Sequence, residues 1–336
     1  MESRSVRAWH PRRSYGLTLV ELLVAIAISL FMISALTVLY VNNSSARTEL
    51  DRSSRQIENG RFAIDMMRDD IALAGYYGEI APRDITQFLE ADPCTTTAAS
   101  MGWSANPARV PVAVQGPTTA GTTVPTTWGC GTLNQRANTG YLVVRRLQPI
   151  AVAATAAVAG TQYVQSNGCL DDARVLVLAT GPGSTNFPLT GADCSTLRPV
   201  REFFVRLYYV STCGICSPND GVPTLKVREL QGSTIVERIV ADGIEDLQFE
   251  FGRDTSGDGV VDDFVTAGAT ADWPNVVAVR IRLISRATTE SPGYVDDKTY
   301  DRGPFGDYSP TQTQFKRRAY TALVEMPNVA GPRELP

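Results

Sequence analysis

Residues 17–41, LTLVELLVAIAISLFMISALTVLYV, form an apolar run of 25 residues in which Glu21 is the only charge. As a helix at about 1.5 Å per residue, that run exceeds the roughly 30 Å hydrocarbon core of a bilayer. A chain that carries it must place it in a membrane or against other apolar helices. Arg12 and Arg13 precede the run, and such cations stay on the cytoplasmic side, which sends the C-terminal body across. A cleavable secretory signal should have a shorter apolar core and a small-residue cleavage site. Here the polar continuation Asn42-Asn43-Ser44-Ser45 offers no A-x-A pattern. An ordinary signal anchor gives no reason for a carboxylate five residues into the span. On insertion scales such a group costs about 2.5–3.5 kcal/mol near the centre and less near an end, so it implies a partner.

The residues around this run resemble a family. Arg12-Arg13-Ser14-Tyr15-Gly16-Leu17-Thr18-Leu19-Val20-Glu21-Leu22 is similar to the class III signal of type IV prepilins and pseudopilins. The resemblance implies a leader over 1–16, cleavage after Gly16 by a prepilin peptidase on the cytoplasmic side, and N-methylation of the new terminus. Leu17 stands where the family usually has Phe. Glu21 becomes the fifth mature residue and matches the family's acidic position, where it is thought to pair with a neighbouring subunit's terminal amine. A buried carboxylate and ammonium offset each other's desolvation only when held close.

Charge and composition narrow the remaining functions. The chain is 43% hydrophobic and 20% charged, as expected of a folded globular protein. The net charge of −4 is uneven: Arg4, Arg7, Arg12 and Arg13 oppose only Glu2 in the leader, so the rest is distinctly acidic. Phosphate contacts need Lys and Arg, so nucleic acid is not an expected partner. The single histidine, His10, lies in the leader. Without it the mature chain cannot build a Ser-His-Asp or Cys-His centre, or a His-ligated metal site. An enzyme would need a carboxylate pair such as Asp262/Asp263 or Glu245/Asp246, and we expect none.

Beyond residue 41 the helix continues. Leu50, Ile57, Ile64 and Ile71 recur every seven residues with Met67 and Ala74 alongside, charges occupy other positions, and Gly75 ends the pattern. One helix over about 17–74 is expected, its amphipathic part (42–78) packed on a sheet rather than forming an independent coiled coil. Residues 92–140 are rich in Thr, Ala, Gly and Pro and read as long loops stapled by a bridge. Strands are expected at 141–147, 174–179, 202–210, 224–230, 235–241, 247–251, 276–284 and 318–324. The fold class is therefore α+β: a long N-terminal helix against a mainly antiparallel, β-rich head over 79–336.

Several of these segments resemble the PilW-like minor pilins: Gly60-Arg61-Phe62-Ala63, Asp69 to Gly78, Ala241 to Phe249, and Arg317-Arg318-Ala319-Tyr320. Residues 80–140 and 290–312 match weakly, and the terminal strand departs from the usual ending at Glu325-Met326-Pro327. The resemblance implies a minor pilin of the inner membrane and pilus filament, needed at the start or tip of the pilus. Its partners would be other minor and major pilins and the inner-membrane assembly machinery. A minor pseudopilin of a type II secretion system is built on the same helix. A tip adhesin, binding through the loops 92–140 and 290–312, is a third reading.

Two motifs stand apart. Asp254-Thr255-Ser256-Gly257-Asp258-Gly259-Val260-Val261-Asp262 matches the first nine positions of an EF-hand loop. Asp254, Ser256, Asp258 and Asp262 with the Val260 carbonyl would offer oxygens to calcium, in a structural role. Position 12 is Val265 rather than Glu, which leaves the bidentate ligand to Asp263 or absent; the alternative is an acidic hairpin turn. Cys213-Gly214-Ile215-Cys216 has redox and half-zinc spacing, but no second such pair exists, and the turn sequence after it favours a short structural disulfide. Cys169 with Cys194 and Cys94 with Cys130 are the simplest remaining pairs, although six cysteines allow about 15 connectivities.

Overall fold

The structure, a computed structural model, describes Gly16 and residues 18–334. It divides into two compact units, one ending at Asp51 and one beginning at Arg52. In the first unit every side chain from Thr18 to Thr48 is exposed. Helix α1 runs from Leu19 to Leu73, close to the expected span, and Gly75 follows its end in the left-handed region at φ 74°.

The second unit holds the last turns of α1 and fourteen strands. Small strands come first: β1 (Gln87–Leu89), β2 (Ser104–Ala105), β3 (Ala108–Pro111) and β4 (Val114–Gln115). Longer ones follow: β5 (Tyr141–Leu147), β6 (Gln162–Ser166), β7 (Leu176–Thr180), β8 (Arg201–Ser211), β9 (Thr224–Gln231) and β10 (Thr234–Asp242). The chain then forms β11 (Ile244–Arg253), β12 (Asp263–Val265), β13 (Val276–Arg286) and β14 (Arg317–Glu325). One sheet is ordered β10-β9-β8-β5-β4, with β6 beside β8 and β7 beyond β6; a second is ordered β12-β11-β13-β14. Both are antiparallel, and β1 with β3 is the parallel pair among the described strands. Each of the eight expected strands is present.

The larger sheet is covered on both faces, and alternation decides which side chain goes where. Leu142 and Val144 of β5 and Tyr208 and Val210 of β8 join the core that also holds Ala63, Met67 and Ile71 of α1. The second sheet adds Leu247, Phe249, Phe251, Val279 and Ile281 to that core. Tyr141, Val143, Leu207 and Tyr209 point the other way, into a core shared with Trp103 and the Cys94 and Cys130 sulfurs. At about 25 cal/mol per Å² of apolar surface, these two layers supply most of the head's stability.

The helix seam differs from the heptad read in the sequence. The buried positions in α1 are Gln56, Gly60, Ala63, Met67, Asp70 and Ile71, while Ile57 and Ile64 are only partly covered and Leu50 is 70% exposed. Close approach explains the shift. A Cβ on Gly60 would stand 2.5 Å from the Tyr320 ring of β14, so at this approach the contact line runs through Gly60 and Ala63 rather than Ile57 and Ile64. The same steric reasoning applies at Gly243, which turns β10 into β11 at φ 75°; a Cβ there would meet the Arg286 carbonyl at 2.4 Å.

Candidate functional site

At the start of α1 the order of residues builds a cap. Glu21 Oε2 accepts from the Thr18 amide at 2.9 Å and from Thr18 Oγ1 at 2.8 Å, and the Glu21 amide donates to Thr18 Oγ1 at 3.3 Å. This reciprocal capping box satisfies amides that the first helical turn would leave open, and T-x-x-E before an apolar run is its sequence signature. In the single chain, then, Glu21 serves its own helix. Gly16 is exposed; Leu17 and the leader up to residue 15, including Arg12, Arg13 and His10, lie outside the described residues. Beyond the cap, Leu23, Ile26, Leu30, Phe31 and Leu39 present apolar side chains that stand exposed among the described residues. This is the solvent-averse surface of a membrane-spanning or helix-packing segment.

Asp70 joins the last turns of α1 to the larger sheet. It is 4% exposed. Its Oδ2 accepts from Arg206 Nη1 at 2.7 Å and from the Tyr208 hydroxyl, and its Oδ1 lies 3.5 Å from Arg146 Nη2. Arg206 also reaches Glu229 at 3.0 Å, and Arg146 and Arg206 both stack on Phe204, 4.2 and 4.4 Å from its ring centre. Burial pushes the Tyr208 hydroxyl pKa up, and the Asp70 charge adds to that. An acid set one turn beyond Met67 on the buried stripe was the sequence signal for this network.

The six cysteines form three disulfides, Cys94–Cys130, Cys169–Cys194 and Cys213–Cys216. Cys213–Cys216 lies in the turn between β8 and β9, where Asp220 accepts from the Gly214 and Ile215 amides.

The acidic loop connects β11 to β12. Asp254 Oδ1 accepts from the Gly257 amide at 2.6 Å, and its Oδ2 from the Gly259 amide at 2.9 Å and Arg333 Nη1 at 3.0 Å. Burial pushes the Asp254 carboxyl up, but these donors outweigh it and hold its pKa at about 2. Asp262 Oδ2 accepts from Thr255 and Ser256 at 2.7–2.8 Å, and Asp258 Oδ1 from the Val260 amide at 2.9 Å. Each of the three acids thus holds the turn through its own set of backbone donors. A calcium ion here would have to displace Arg333 from Asp254. Sequence reading did not anticipate Arg333, which is far away along the chain.

The carboxylate pairs are likewise committed. Asp263 pairs with Arg253 at 2.5 Å. Glu245 accepts from Arg317 Nε at 2.5 Å and lies 3.5 Å from Arg136. Asp246 lies 3.6 Å from Arg302.

Comparison with known proteins places two stretches of the chain. Residues 207–328, from within β8 to just past β14, match the model of the type IV pilus-assembly protein W family, PilW. Residues 11–37 match the prokaryotic N-terminal methylation motif. No curated protein matches the chain in sequence. Among solved structures, a type IV-like pilin from Thermus thermophilus is similar at 10% identity, over 82% of this chain and 99% of that one, with a TM-score of 0.35.

Proposed function

We propose that this chain, a type IV pilin-like protein of the PilW type, is a minor pilin that helps start or tip a type IV pilus. The observation that carries the reading is helix α1 itself. Leu19–Leu73 is one helix in which a fully exposed apolar stretch with a single acid at its start continues into turns that bear the core of a β-rich head. The apolar stretch holds the subunit in the inner membrane before assembly and packs among the helices of other pilins afterwards. Arg12 and Arg13 keep the terminus cytoplasmic and put the head on the far side. Prepilin peptidase cuts at Gly16–Leu17. Glu21 then exchanges its cap on Thr18 for the terminal amine of a neighbouring subunit, a charge pair that lowers the cost of burying both groups. The role is structural: the mature chain lacks histidine, and its paired acids serve as ion-pair and turn partners.

Deletion of the chain from a piliated host, with complementation, tests the reading. We expect few surface pili in the deletion strain, restoration by the wild-type chain, and substoichiometric amounts of the chain in sheared filaments. Normal piliation with a loss of protein secretion would move the chain to a type II secretion filament instead.

A further inference from the structure

Between the loops that carry residues 120–138 and 302–311, the head opens a cleft of about 660 Å³. Glu245, at its base, is buried and shared by three guanidiniums. Arg317 donates to both of its oxygens, from Nε at 2.5 Å and from Nη2 at 3.2 Å. Arg286 and Arg136 stand 3.7 and 3.5 Å from Oε1, the oxygen that Arg317 Nη2 already holds. Asp296 adds a second anion through its pair with Arg317 at 3.1 Å. Three guanidiniums thus face two carboxylates, which leaves one positive charge in excess. Burial pulls the Arg286 pKa down, and Glu245 opposes the further push from the Arg317 and Arg136 charges.

The excess is accessible at Arg136. Arg317 and Arg286 are buried and spend their donors inside the head: Arg317 on Glu245, Asp296 and the Phe315 carbonyl, Arg286 on Gln312 and the Gly221 carbonyl. Arg136 lines the cleft with a third of its side chain exposed, and its 3.5 Å contact to Glu245 is longer than a hydrogen bond. Asp246 and Arg302, which also line the cleft, cancel each other at 3.6 Å. Asp301 and Asp307 are exposed on the same loop but lie outside the lining. A monovalent anion matches this count. A carboxylate also matches the shape, because its two oxygens can take paired N–H donors from one guanidinium. A phosphate dianion would bring a second negative charge beside Asp246. The carboxylate would fill a small part of the cleft, and Phe305, Pro304 and Ala137 offer apolar surface around it. We propose that the cleft docks an acidic side chain of a partner protein, an Asp or Glu with an apolar neighbour, and that Arg136 binds its carboxylate. The contact supplies the anion that the three guanidiniums lack, and the complementary charge gives the docking its selectivity. The surface belongs to the head alone and does not depend on which filament the chain joins.

The test uses the full chain in detergent with four probes: blocked octapeptides that carry Glu beside Leu or Phe, the same peptides with Gln, free glutamate, and inorganic phosphate. The Glu peptides should bind, lose affinity as salt rises, and raise the melting midpoint. The Gln peptides should bind at least tenfold more weakly. Arg136→Gln should raise the dissociation constant for the Glu peptides at least tenfold and still melt cooperatively, since Glu245 keeps Arg317 and Arg286. Arg136→Lys, which keeps the charge and loses the fork, should fall between the two. Arg174→Gln, at an exposed arginine outside the cleft that pairs with Asp172, should bind as the wild type does. Free glutamate or phosphate bound as tightly as the peptides would overturn the protein partner in favour of a small anion. Glu and Gln peptides bound alike would overturn the carboxylate, and binding that Arg136→Gln leaves unchanged would overturn the location. No binding of any peptide at millimolar concentration would overturn the proposal altogether. None of these results bears on piliation, so the proposal can fail while the pilin reading stands.

Discussion

Asp70→Ala should destabilise the head through the ion pairs and hydrogen bond it removes. The side chain lies against two guanidiniums and a phenol, and Arg206 keeps another ion pair, with Glu229 at 3.0 Å. Arg146 would lose its ion pair, and the Tyr208 hydroxyl would become a buried donor with no acceptor. Removing one partner of a buried pair costs about 3–5 kcal/mol, mostly because the other charge is left unpaired. Arg206 is 18% exposed, so water recovers part of its loss, which places the expected cost near 3 kcal/mol. For a head of this size the melting midpoint should fall by roughly 6–12 °C.

The assay is thermal and denaturant unfolding of the full chain in detergent, run as a double-mutant cycle with Tyr208→Phe. Tyr208→Phe alone should cost about 1 kcal/mol, and the two changes together less than their sum, because both delete the same hydrogen bond. Asp70→Asn separates charge from shape: it keeps an acceptor for Tyr208 and leaves Arg146 without its counter-ion. If Asp70→Ala stays within about 0.5 kcal/mol of the wild type, as a surface change would, the network does not pin the helix. Strict additivity with Tyr208→Phe would refute the shared hydrogen bond.

The remaining predictions concern the N-terminus and the acidic loop. Intact-mass measurement of the membrane form should find Leu17 at the terminus with one added methyl group; a terminus beyond residue 41 would end the prepilin reading. Glu21→Ala should leave membrane insertion intact and sharply reduce incorporation into filaments, so normal pilus recovery would count against the pairing role. Millimolar calcium should raise the melting midpoint through a weak site with a dissociation constant around 10⁻⁴–10⁻³ M. The rise should be larger in Arg333→Ala, which frees Asp254; equal midpoints with calcium and with chelator in both proteins would leave only an acidic turn. The Asp254 carboxyl titrates at about 2 when folded and near 3.9 when unfolded. Its contribution is therefore full at neutral pH and should be lost as pH falls from about 4 through 2. Asp254→Asn should be less stable than the wild type at pH 7 and converge with it toward pH 2; an unchanged gap would refute the assignment.

Local signals in this chain were readable and distant partners were not. The alternation of 276–283 and the Tyr-Leu-Val-Val start of 141–147 mark strands through side-chain period and β propensity. Strand β6, Gln-Tyr-Val-Gln-Ser, escaped because three of its five buried residues, Gln162, Gln165 and Ser166, are polar. Gln165 is fully buried, and Leu189 and Arg198, 24 and 33 residues away, satisfy it. No window of sequence contains those partners. The helix seam shows the same limit in finer form: a heptad of large residues was visible, but Tyr320 at Gly60 chose the true contact line.

The candidate sites divide along the same boundary. Glu21, Gly16 and Leu17 are candidates on local chemistry alone: a basic leader, a small residue, an apolar span and one acid at a set distance. Even Thr18, which the motif T-x-x-E reveals, belongs to that local pattern. The network at Asp70 is built in the opposite way: Arg206 and Tyr208 reach it from 136 and 138 residues further along the chain. A motif can encode processing and assembly in a dozen residues because the machinery that reads them acts on one stretch of chain. A buried network must be assembled by the fold, from residues that no window of sequence contains.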